Sequence, residues 1–349
     1  MSLNAFLSHL LFAFFLLGLS VLITRLMLYR ARIMDIPNPR SAHRIPVPKS
    51  GGISIVATFL TGIAIIFIVA DRAVIQKNYF YGFVFSALLI AGISLYDDIK
   101  NKPFVIKLST QLLAIFMVLA TGLVIDQIAI PYFGLLSLGW LSYPISFIWF
   151  LGLTNAFNFM DGLDGLAAGV AVIVSAFFCA ITFSQGSTFV YITSYTVLSG
   201  ALGFLIYNWA PARIFMGDVG SAFLGFVFAV LAVIAARYDN SHTSFLVMPL
   251  LLFNFIYDTF FTFLRRLLRG ERVIDAHRVH LYQLLNRLGY SHQSVSLLHY
   301  GVCVTQGIGA FWMVNIPGSD RALVFLPFLV FQMLYSFIVI KRAKKAQLL

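Results

Sequence analysis

The sequence is poor in charged residues, which make up only 11% of its 349 positions; a soluble protein of this size usually has about 25%. Apolar residues reach 60%, more than a globular core can hide, so lipid must cover the remainder. Cysteine is scarce as well. Cys179 and Cys303 both lie inside apolar runs, which excludes a disulfide framework and a cysteine metal site. These deficits disfavour a soluble globular fold.

Long apolar stretches dominate what is present. A helix of about 20 apolar residues crosses the hydrocarbon core of a bilayer. We therefore predict an all-α polytopic membrane protein, a single domain over residues 1–349, with a retained first span. Eleven spans are predicted, at 5–24, 52–70, 79–95, 105–125, 142–157, 166–184, 188–208, 220–236, 243–264, 297–315 and 322–340.

The basic residues predict the orientation of these spans. Of the 24 Lys and Arg, 20 follow odd-numbered spans or lie in the C-terminal tail. Because Lys and Arg are retained on the cytoplasmic side, we expect the N-terminus outside and the C-terminus in the cytoplasm. The cytoplasmic loops then lie near 25–51, 96–104, 158–165, 209–219 and 265–296. The net charge of +11 is thus topological, and no nucleic-acid partner is expected.

Carboxylates also collect in these predicted cytoplasmic loops, although orientation does not require them there. Asp97 and Asp98 are adjacent where span three ends, and such neighbours repel unless a cation or a proton lies between them. Asp218 lies between glycines just before span eight, where it could be only a helix cap. Oxygen ligands in this number suit Mg²⁺.

A polar residue recurs at every third position of the segment 155–165. Residues three apart share one face of a helix, so this spacing predicts a polar stripe at the inner end of span five. The stripe consists of Asn155, Asn158, Asp161 and Asp164.

Span nine and the loop after it contain further ionisable residues. Asp258 lies within the span, so it must face protein or a polar groove; we expect a groove that opens to the inner leaflet and holds a lipid chain. His277, Arg278 and His280 lie in the loop, where imidazole and guanidinium donors suit contact with phosphate.

These motifs together resemble the polyprenyl-phosphate N-acetylhexosamine-1-phosphate transferase family, glycosyltransferase family 4. That family includes undecaprenyl-phosphate GlcNAc-1-phosphate transferases and the phospho-N-acetylmuramoyl-pentapeptide transferase. The matching motifs follow the family order at 48–52, 96–100, 155–165, 208–221 and 258–266. The pattern from His277 to Gln283 has fewer histidines than many members have, and is closer to transferases that initiate O-antigen.

The resemblance implies transfer of an N-acetylated hexosamine 1-phosphate from a UDP-sugar to undecaprenyl phosphate in the bacterial inner membrane. It implies Mg²⁺ as cofactor, with Mn²⁺ as a substitute. The implied catalytic residues are Asp97, Asp98 and His280, and the implied metal ligands are Asp218 and Asp98. The implied substrate contacts are Arg44, Asn155, Asn158, Asp161, Asp164, Asn208, Phe215, His277 and Arg278.

Other functions remain open on the sequence alone. A secondary transporter would place ionisable residues near the bilayer midplane and often has repeated halves, and no internal repeat is visible here. A lipid phosphatase and the muramoyl-pentapeptide transferase are further alternatives. Also open are the sugar (GlcNAc, GalNAc, FucNAc or QuiNAc), direct attack against a covalent aspartyl intermediate, and a homodimer against a monomer.

Overall fold

The computed structural model describes residues 3–30, 33–37, 45–69, 75–100, 104–130, 134–272 and 277–349. The protein is mostly helical, at 76%. Its helices are α1 (Leu3–Arg30), α2 (Gly52–Val69), α3 (Lys77–Lys100), α4 (Phe104–Ala120), α5 (Ser142–Phe159), α6 (Leu166–Ser184), α7 (Val190–Asn208), α8 (Asp218–Val233), α9 (Val247–Leu251), α10 (Phe253–Leu268), α11 (Leu281–Arg287), α12 (His292–Met313) and α13 (Phe325–Lys345). A π-helical turn, Ile234–Tyr238, follows α8, and 3₁₀ turns lie at Gly139–Leu141 and Gly318–Val324.

Two short antiparallel hairpins correct the prediction of a purely α-helical fold. In the first, β1 (Met34–Asp35) pairs with β2 (Val47–Pro48). In the second, β3 (Gln127–Ile130) pairs with β4 (Gly134–Ser137). Strands of two to four residues have no resolvable alternation of apolar and polar residues, so the sequence carries little signal for them.

Seven helices among the described residues are long and apolar enough to cross a membrane: α1, α2, α3, α6, α7, α8 with its π turn, and α13 with the 3₁₀ turn before it. The other predicted spans coincide with α4, α5, α10 and α12, which are shorter or less apolar. The chain is therefore a multi-pass membrane protein, while the number eleven and the orientation stay predictions. Predicted span nine is not continuous, because α9 ends at Leu251 and α10 begins at Phe253.

Helix α8 lies at the centre of the bundle, packed against α2, α3 and α5. Every residue from Val219 to Val233 is buried. Glycines allow the close approach on two sides. A Cβ on Gly225 would lie 2.7 Å from the carbonyl oxygen of Leu153 in α5, and a Cβ on Gly52 at the start of α2 would lie 2.5 Å from the Cα of Gly220. The centre of the bundle is thus packed backbone to backbone, as is common between membrane helices.

This packing predicts the effect of adding a single methyl group. Gly52→Ala should destabilise the protein by about 1–3 kcal/mol, because the backbones of α2 and α8 would have to separate. Gly92→Ala in α3 is the matched control: its Cβ would meet nothing within 4 Å, so it should be neutral or slightly stabilising. Thermal unfolding in detergent measures both, and equal unfolding temperatures for the two variants would contradict the close contact.

Candidate active site

The first hairpin places Lys49 beside the start of α8. The Lys49 amide donates to the carbonyl of Ile33 at 2.9 Å, and the Phe215 amide donates to the carbonyl of Pro48 at 2.8 Å. Gly51 then donates to the carbonyl of Phe215 at 3.0 Å. The motifs at 48–52 and 208–221 therefore pair through their backbones, although about 160 residues separate them in the chain.

The side chain of Asp98, in the last turn of α3, lies at the N-terminus of α8. Its carboxylate accepts hydrogen bonds from the amides of Asp218 and Val219, at 3.3 and 3.1 Å, and pairs with the ammonium of Lys49 at 2.9 Å. A carboxylate is stabilised at this end of a helix by the free amides and the helix dipole. Gly217 has φ +70°, and a Cβ there would lie 2.6 Å from the Asp98 carboxylate, which explains the glycine before Asp218.

Asp218 is held by two side chains from neighbouring helices. The ammonium of Lys107 in α4 donates to one carboxylate oxygen, and the amide of Asn158 in α5 donates to the other at 3.0 Å. Asn158 also donates to the hydroxyl of Ser221 at 2.8 Å. The predicted convergence of Asp98 and Asp218 is thus present, and each carboxylate is paired with a lysine.

The carboxylates and lysines alter each other's ionisation. Burial opposes the charge on Lys49, but the carboxylates of Asp98 and Asp218 outweigh it and raise the pKa of Lys49. Asp161 lies in the loop between α5 and α6. Burial, together with the carboxylates of Asp218 and Asp98, raises the pKa of Asp161 to about 8. In the folded protein Asp161 therefore keeps its proton at pH 7.

The predicted polar stripe is only partly correct. Helix α5 ends at Phe159, so Asn155 and Asn158 lie on the helix while Asp161 and Asp164 belong to the following loop. Asn155 donates to the side chain of Gln111 in α4 at 3.2 Å. Asn155 therefore extends the polar lining of the site one turn further into the bundle.

Asp164 and Asn208, both predicted substrate contacts, have protein partners, and their contact with substrate stays a prediction. Asp164 pairs with His292 at 3.2 Å and accepts the amide of Ala212 at 3.0 Å. Asn208 accepts the amide of Gly165 at 3.1 Å and donates to the carbonyl of Ile214 at 2.9 Å. These bonds tie together the loops around the site, which is a positioning role that spacing alone could not indicate.

Asp258 faces protein rather than a lipid groove. It is fully buried, and it accepts hydrogen bonds from the amides of Leu281 and Tyr282 at 2.9 and 3.1 Å. It also accepts a hydrogen bond from the hydroxyl of Thr262 at 3.1 Å and pairs with the imidazole of His280 at 3.3 Å. Asp258 thus fixes both His280 and the N-terminus of α11.

Tyr282 of α11 connects the loop that contains His277 and His280 with the site around Asp218. Its hydroxyl donates to the carbonyl of Phe159, at the end of α5, at 2.8 Å. His277 lies beside His280, with ring centroids 4.9 Å apart. Burial, with the nearby His280 and arginines, lowers the pKa of His277 to about 4, so His277 is neutral at pH 7. Arg278 is partly buried in the same loop.

The positions of the other predicted residues say less about their roles. Asp97 is partly buried in the last turn of α3, next to Asp98, and Phe215 is partly buried in the segment that pairs with Pro48. Arg44 lies outside the described residues.

The two lysines are the functional candidates that sequence reasoning missed. Lys49 lies in the first matching motif, but the orientation of the spans already accounts for its charge. Lys107 lies in the first turn of α4, where a positive charge opposes the helix dipole. That unfavourable placement was a signal that could have identified it.

The donor set fits a magnesium ion that shares its ligands with substrate. Among the described residues, no three His, Cys, Asp or Glu side chains surround one position. Mg²⁺ in phosphate-transferring sites needs only one or two protein carboxylates, because water and substrate phosphates supply the rest. Asp218 with Asp98 nearby meets that requirement.

Comparisons with known proteins identify the family of the chain. Residues 80–236 match the glycosyl transferase family 4. The chain is 32% identical over 269 residues to a "Probable undecaprenyl-phosphate N-acetylglucosaminyl 1-phosphate transferase" of Bacillus subtilis (strain 168), covering 76% of this chain and 73% of the relative. It is 29% identical over 299 residues to a "Decaprenyl-phosphate N-acetylglucosaminephosphotransferase" of Mycobacterium leprae, covering 78% and 74%.

A third relative matches over a shorter region. The "Phospho-N-acetylmuramoyl-pentapeptide-transferase" of Latilactobacillus sakei is 42% identical over 108 residues, which covers 31% of this chain and 34% of that protein.

The fold and the site are those of a mostly helical membrane protein. Carboxylates and lysines are paired at the ends of its helices. Within that class, the chain belongs to glycosyl transferase family 4, the polyprenyl-phosphate N-acetylhexosamine-1-phosphate transferases.

The raised pKa of Asp161 predicts how stability depends on pH. The folded state keeps the proton up to about pH 8, whereas the unfolded state releases it near pH 4, so this carboxyl destabilises the fold progressively as pH rises between them. With a chelator present to remove metal ions, Asp161→Asn should unfold at nearly the wild-type temperature at low pH. At pH 9 it should unfold at a higher temperature than the wild type. Thermal unfolding from pH 5 to pH 9 measures the difference. A difference in unfolding temperature that stays constant across this pH range would contradict the prediction. Asp320→Asn, at an exposed position, is the control for the loss of one carboxylate.

The buried carboxylate of Asp258 predicts a second effect. Asp258→Asn should destabilise the protein by about 3 kcal/mol, since at least two charge-assisted hydrogen bonds to α11 are lost. Thr262→Val is the graded control, because it removes only one of the hydrogen bonds to the Asp258 carboxylate, and should cost about 1.5 kcal/mol. Thermal unfolding and trypsin cleavage at Arg278 measure both. If Asp258→Asn resisted trypsin as well as wild type, Asp258 would not be what holds the loop.

Proposed function

We propose that the chain transfers an N-acetylhexosamine 1-phosphate from a UDP-sugar to undecaprenyl phosphate, giving the lipid diphosphate-sugar and UMP. The reaction would take place at the cytoplasmic face of the bacterial inner membrane and initiate a cell-surface glycan, for which O-antigen is one candidate. The observation that carries the proposal is the meeting of Asp98, Asp218, Lys49 and Lys107 at the start of α8. The names of the relatives favour N-acetylglucosamine as the sugar.

The proposed chemistry is a displacement at phosphorus. An oxygen of the lipid phosphate forms a bond to the β-phosphorus of the UDP-sugar, and the bond from that phosphorus to the bridging oxygen breaks, so UMP leaves with the electron pair. Both reactants are anions. The main tasks of the site are therefore to neutralise charge and to align the reacting atoms in line.

The lysines are suited to the first of these tasks. Lys107 is partly exposed and already contacts Asp218, so in our proposal it turns to a phosphate oxygen when substrate binds. Lys49 holds Asp98, and through it the start of α8, in position for the diphosphate. Ammonium groups bind phosphate as point charges, which tolerates the motion of the transferred group.

Asp218, with Asp98 or Asp97, is the proposed holder of Mg²⁺, for which Mn²⁺ would substitute. The bound ion would neutralise negative charge on the diphosphate and on the departing UMP. The lipid phosphate has a second pKa near about 6 and is largely ionised at neutral pH, so no strong base is required. One carboxylate of the Asp97–Asp98 pair is the proposed acceptor of any remaining proton.

The remaining predicted residues line the proposed substrate path. Asn155, Asn158 and Asp161 would contact the sugar nucleotide, and Phe215 would stack on the uracil ring. His280, His277 and Arg278 would approach the phosphates from the histidine loop. The polyprenyl chain would follow the lipid-exposed side of α10, where Phe260 and Leu267 are exposed.

The proposal predicts the outcome of one substitution. Asp218→Asn should lower transfer by at least about 100-fold, because the metal loses its principal carboxylate. Asp126→Asn is the matched control, since Asp126 also pairs with a cation, Arg237, but lies outside the site. The assay combines purified protein and Mg²⁺ with undecaprenyl phosphate and a panel of UDP-sugars, including UDP-N-acetylmuramoyl-pentapeptide. It measures the release of UMP and identifies the lipid product by its mass. Substantial transfer by Asp218→Asn would remove it from the metal site, and UMP release without a lipid acceptor would indicate hydrolysis instead.

A further inference from the structure

Helix α12 supports the loop that follows α5. Three of its side chains, spaced four residues apart, bind the last two residues of that loop: His292, Ser296 and Tyr300. Nδ1 of His292 lies 3.2 Å from a carboxylate oxygen of Asp164, and the Ser296 hydroxyl donates to the Asp164 carbonyl at 2.9 Å. The Tyr300 hydroxyl donates to the carbonyl of Gly165. Residues four apart share one face of a helix, so a single stripe of α12 holds the loop.

The carboxylate of Asp164 joins this loop to a second one. Its other oxygen accepts the amide of Ala212, in the segment after α7, at 3.0 Å. Helix α12 also contacts that segment directly, because the side chain of Gln293 donates to the carbonyl of Ala210 at 3.4 Å. The loops after α5 and α7 therefore share α12 as their support.

These two loops contain residues that we propose contact the nucleotide. Asp161 lies in the loop after α5, and Phe215 lies in the segment after α7. The carboxylates proposed to hold Mg²⁺ are fixed by other side chains, those of Lys49 and Lys107. A defect in the α12 contacts should therefore alter the uridine end of the substrate site and spare the metal end.

The imidazole of His292 acts on Asp164 as a hydrogen-bond donor. The amide nitrogen of Asp164 also lies near Nδ1, at 3.4 Å, but the contact with the carboxylate is shorter and involves a charged acceptor. The His292 side chain is 19% exposed, so its removal leaves no closed cavity in the core. Replacement of His292 therefore tests the hydrogen bond rather than the packing of the bundle.

We propose that His292 is a positioning residue for the uridine part of the UDP-sugar, because it fixes Asp164 and, through Asp164, the two loops that approach the nucleotide. The inference rests on the proposed function. Contacts that bind substrate and transition state equally lower KM without changing kcat, and contacts to uridine, remote from the phosphorus that reacts, are of this kind. Loss of the His292 contact should therefore raise KM for the UDP-sugar and leave kcat unchanged.

The first experiment measures the steady-state kinetics of two replacements of His292. His292→Ala should raise KM for the UDP-sugar about tenfold, because a hydrogen bond to a carboxylate is lost. KM for undecaprenyl phosphate should not change. His292→Asn should restore most of the affinity, since its amide can donate from nearly the position of Nδ1.

His9→Ala is the matched control for the loss of an imidazole. His9 bonds to the hydroxyls of Tyr191 and Tyr195, at the opposite end of α7 from the site, so its removal should leave KM for the UDP-sugar unchanged. An equal rise of KM in the His9 and His292 variants would overturn the positioning role. So would wild-type KM in His292→Ala, a fall in kcat alone, or an asparagine variant as impaired as the alanine variant.

Ser296→Ala tests the same stripe with a smaller change. It removes the buried hydroxyl that binds the Asp164 carbonyl and should raise KM for the UDP-sugar about threefold. Ser175→Ala in α6 is its control, because the Ser175 hydroxyl is buried without a hydrogen-bond partner in the described part of the chain and should leave KM unchanged. Equal KM values for the two serine variants would overturn the role of the stripe.

Direct binding of uridine diphosphate separates this inference from the proposed function. Isothermal titration calorimetry without lipid should show about tenfold weaker binding by His292→Ala than by wild type. If the variant binds uridine diphosphate as tightly as wild type does, the positioning role is wrong and the proposed function is unaffected. If wild type binds no uridine diphosphate, the proposed function is wrong and this inference with it.

Discussion

A single carboxylate at the N-terminus of α8 organises this molecule. Asp98, at the end of α3, accepts the first amides of α8 and pairs with Lys49 from the segment after β2. Three parts of the chain therefore meet at one side chain. The contact is favourable because it joins a negative charge to both a helix N-terminus and an ammonium group, in a location with little water.

The surrounding helices and loops hold this contact in place. Helix α8 can carry Asp218 to a defined position because it is buried along its whole length and packed through Gly220 and Gly225 against its neighbours. The loops that approach Asp218 are fixed by bonds of their own, among them those of Asp164 with His292 and of Asn208 with Ile214. Rigid support of this kind is what a site needs when its task is alignment and charge neutralisation.

The sequence was sufficient for most of the helices, because hydropathy marks long apolar segments. It also predicted the convergence of Asp98 with Asp218. It was insufficient where tertiary contacts decide. The stripe from Asn155 broke at Phe159, where α5 ends and Tyr282 of α11 donates to the last carbonyl of the helix. Asp258 turned toward α11 for a similar reason: free amides of that helix offered it better partners than a groove would.

In our proposal, the lysines hold the carboxylates in the positions that a cation and a diphosphate later require. A structure determined with Mg²⁺ and uridine diphosphate bound tests this most directly. We predict that Lys107 will have left Asp218 for a phosphate oxygen, that the ion will contact Asp218, and that Asp98 will still hold the amides of α8. An intact pair of Lys107 with Asp218, with the nucleotide bound elsewhere, would contradict the account.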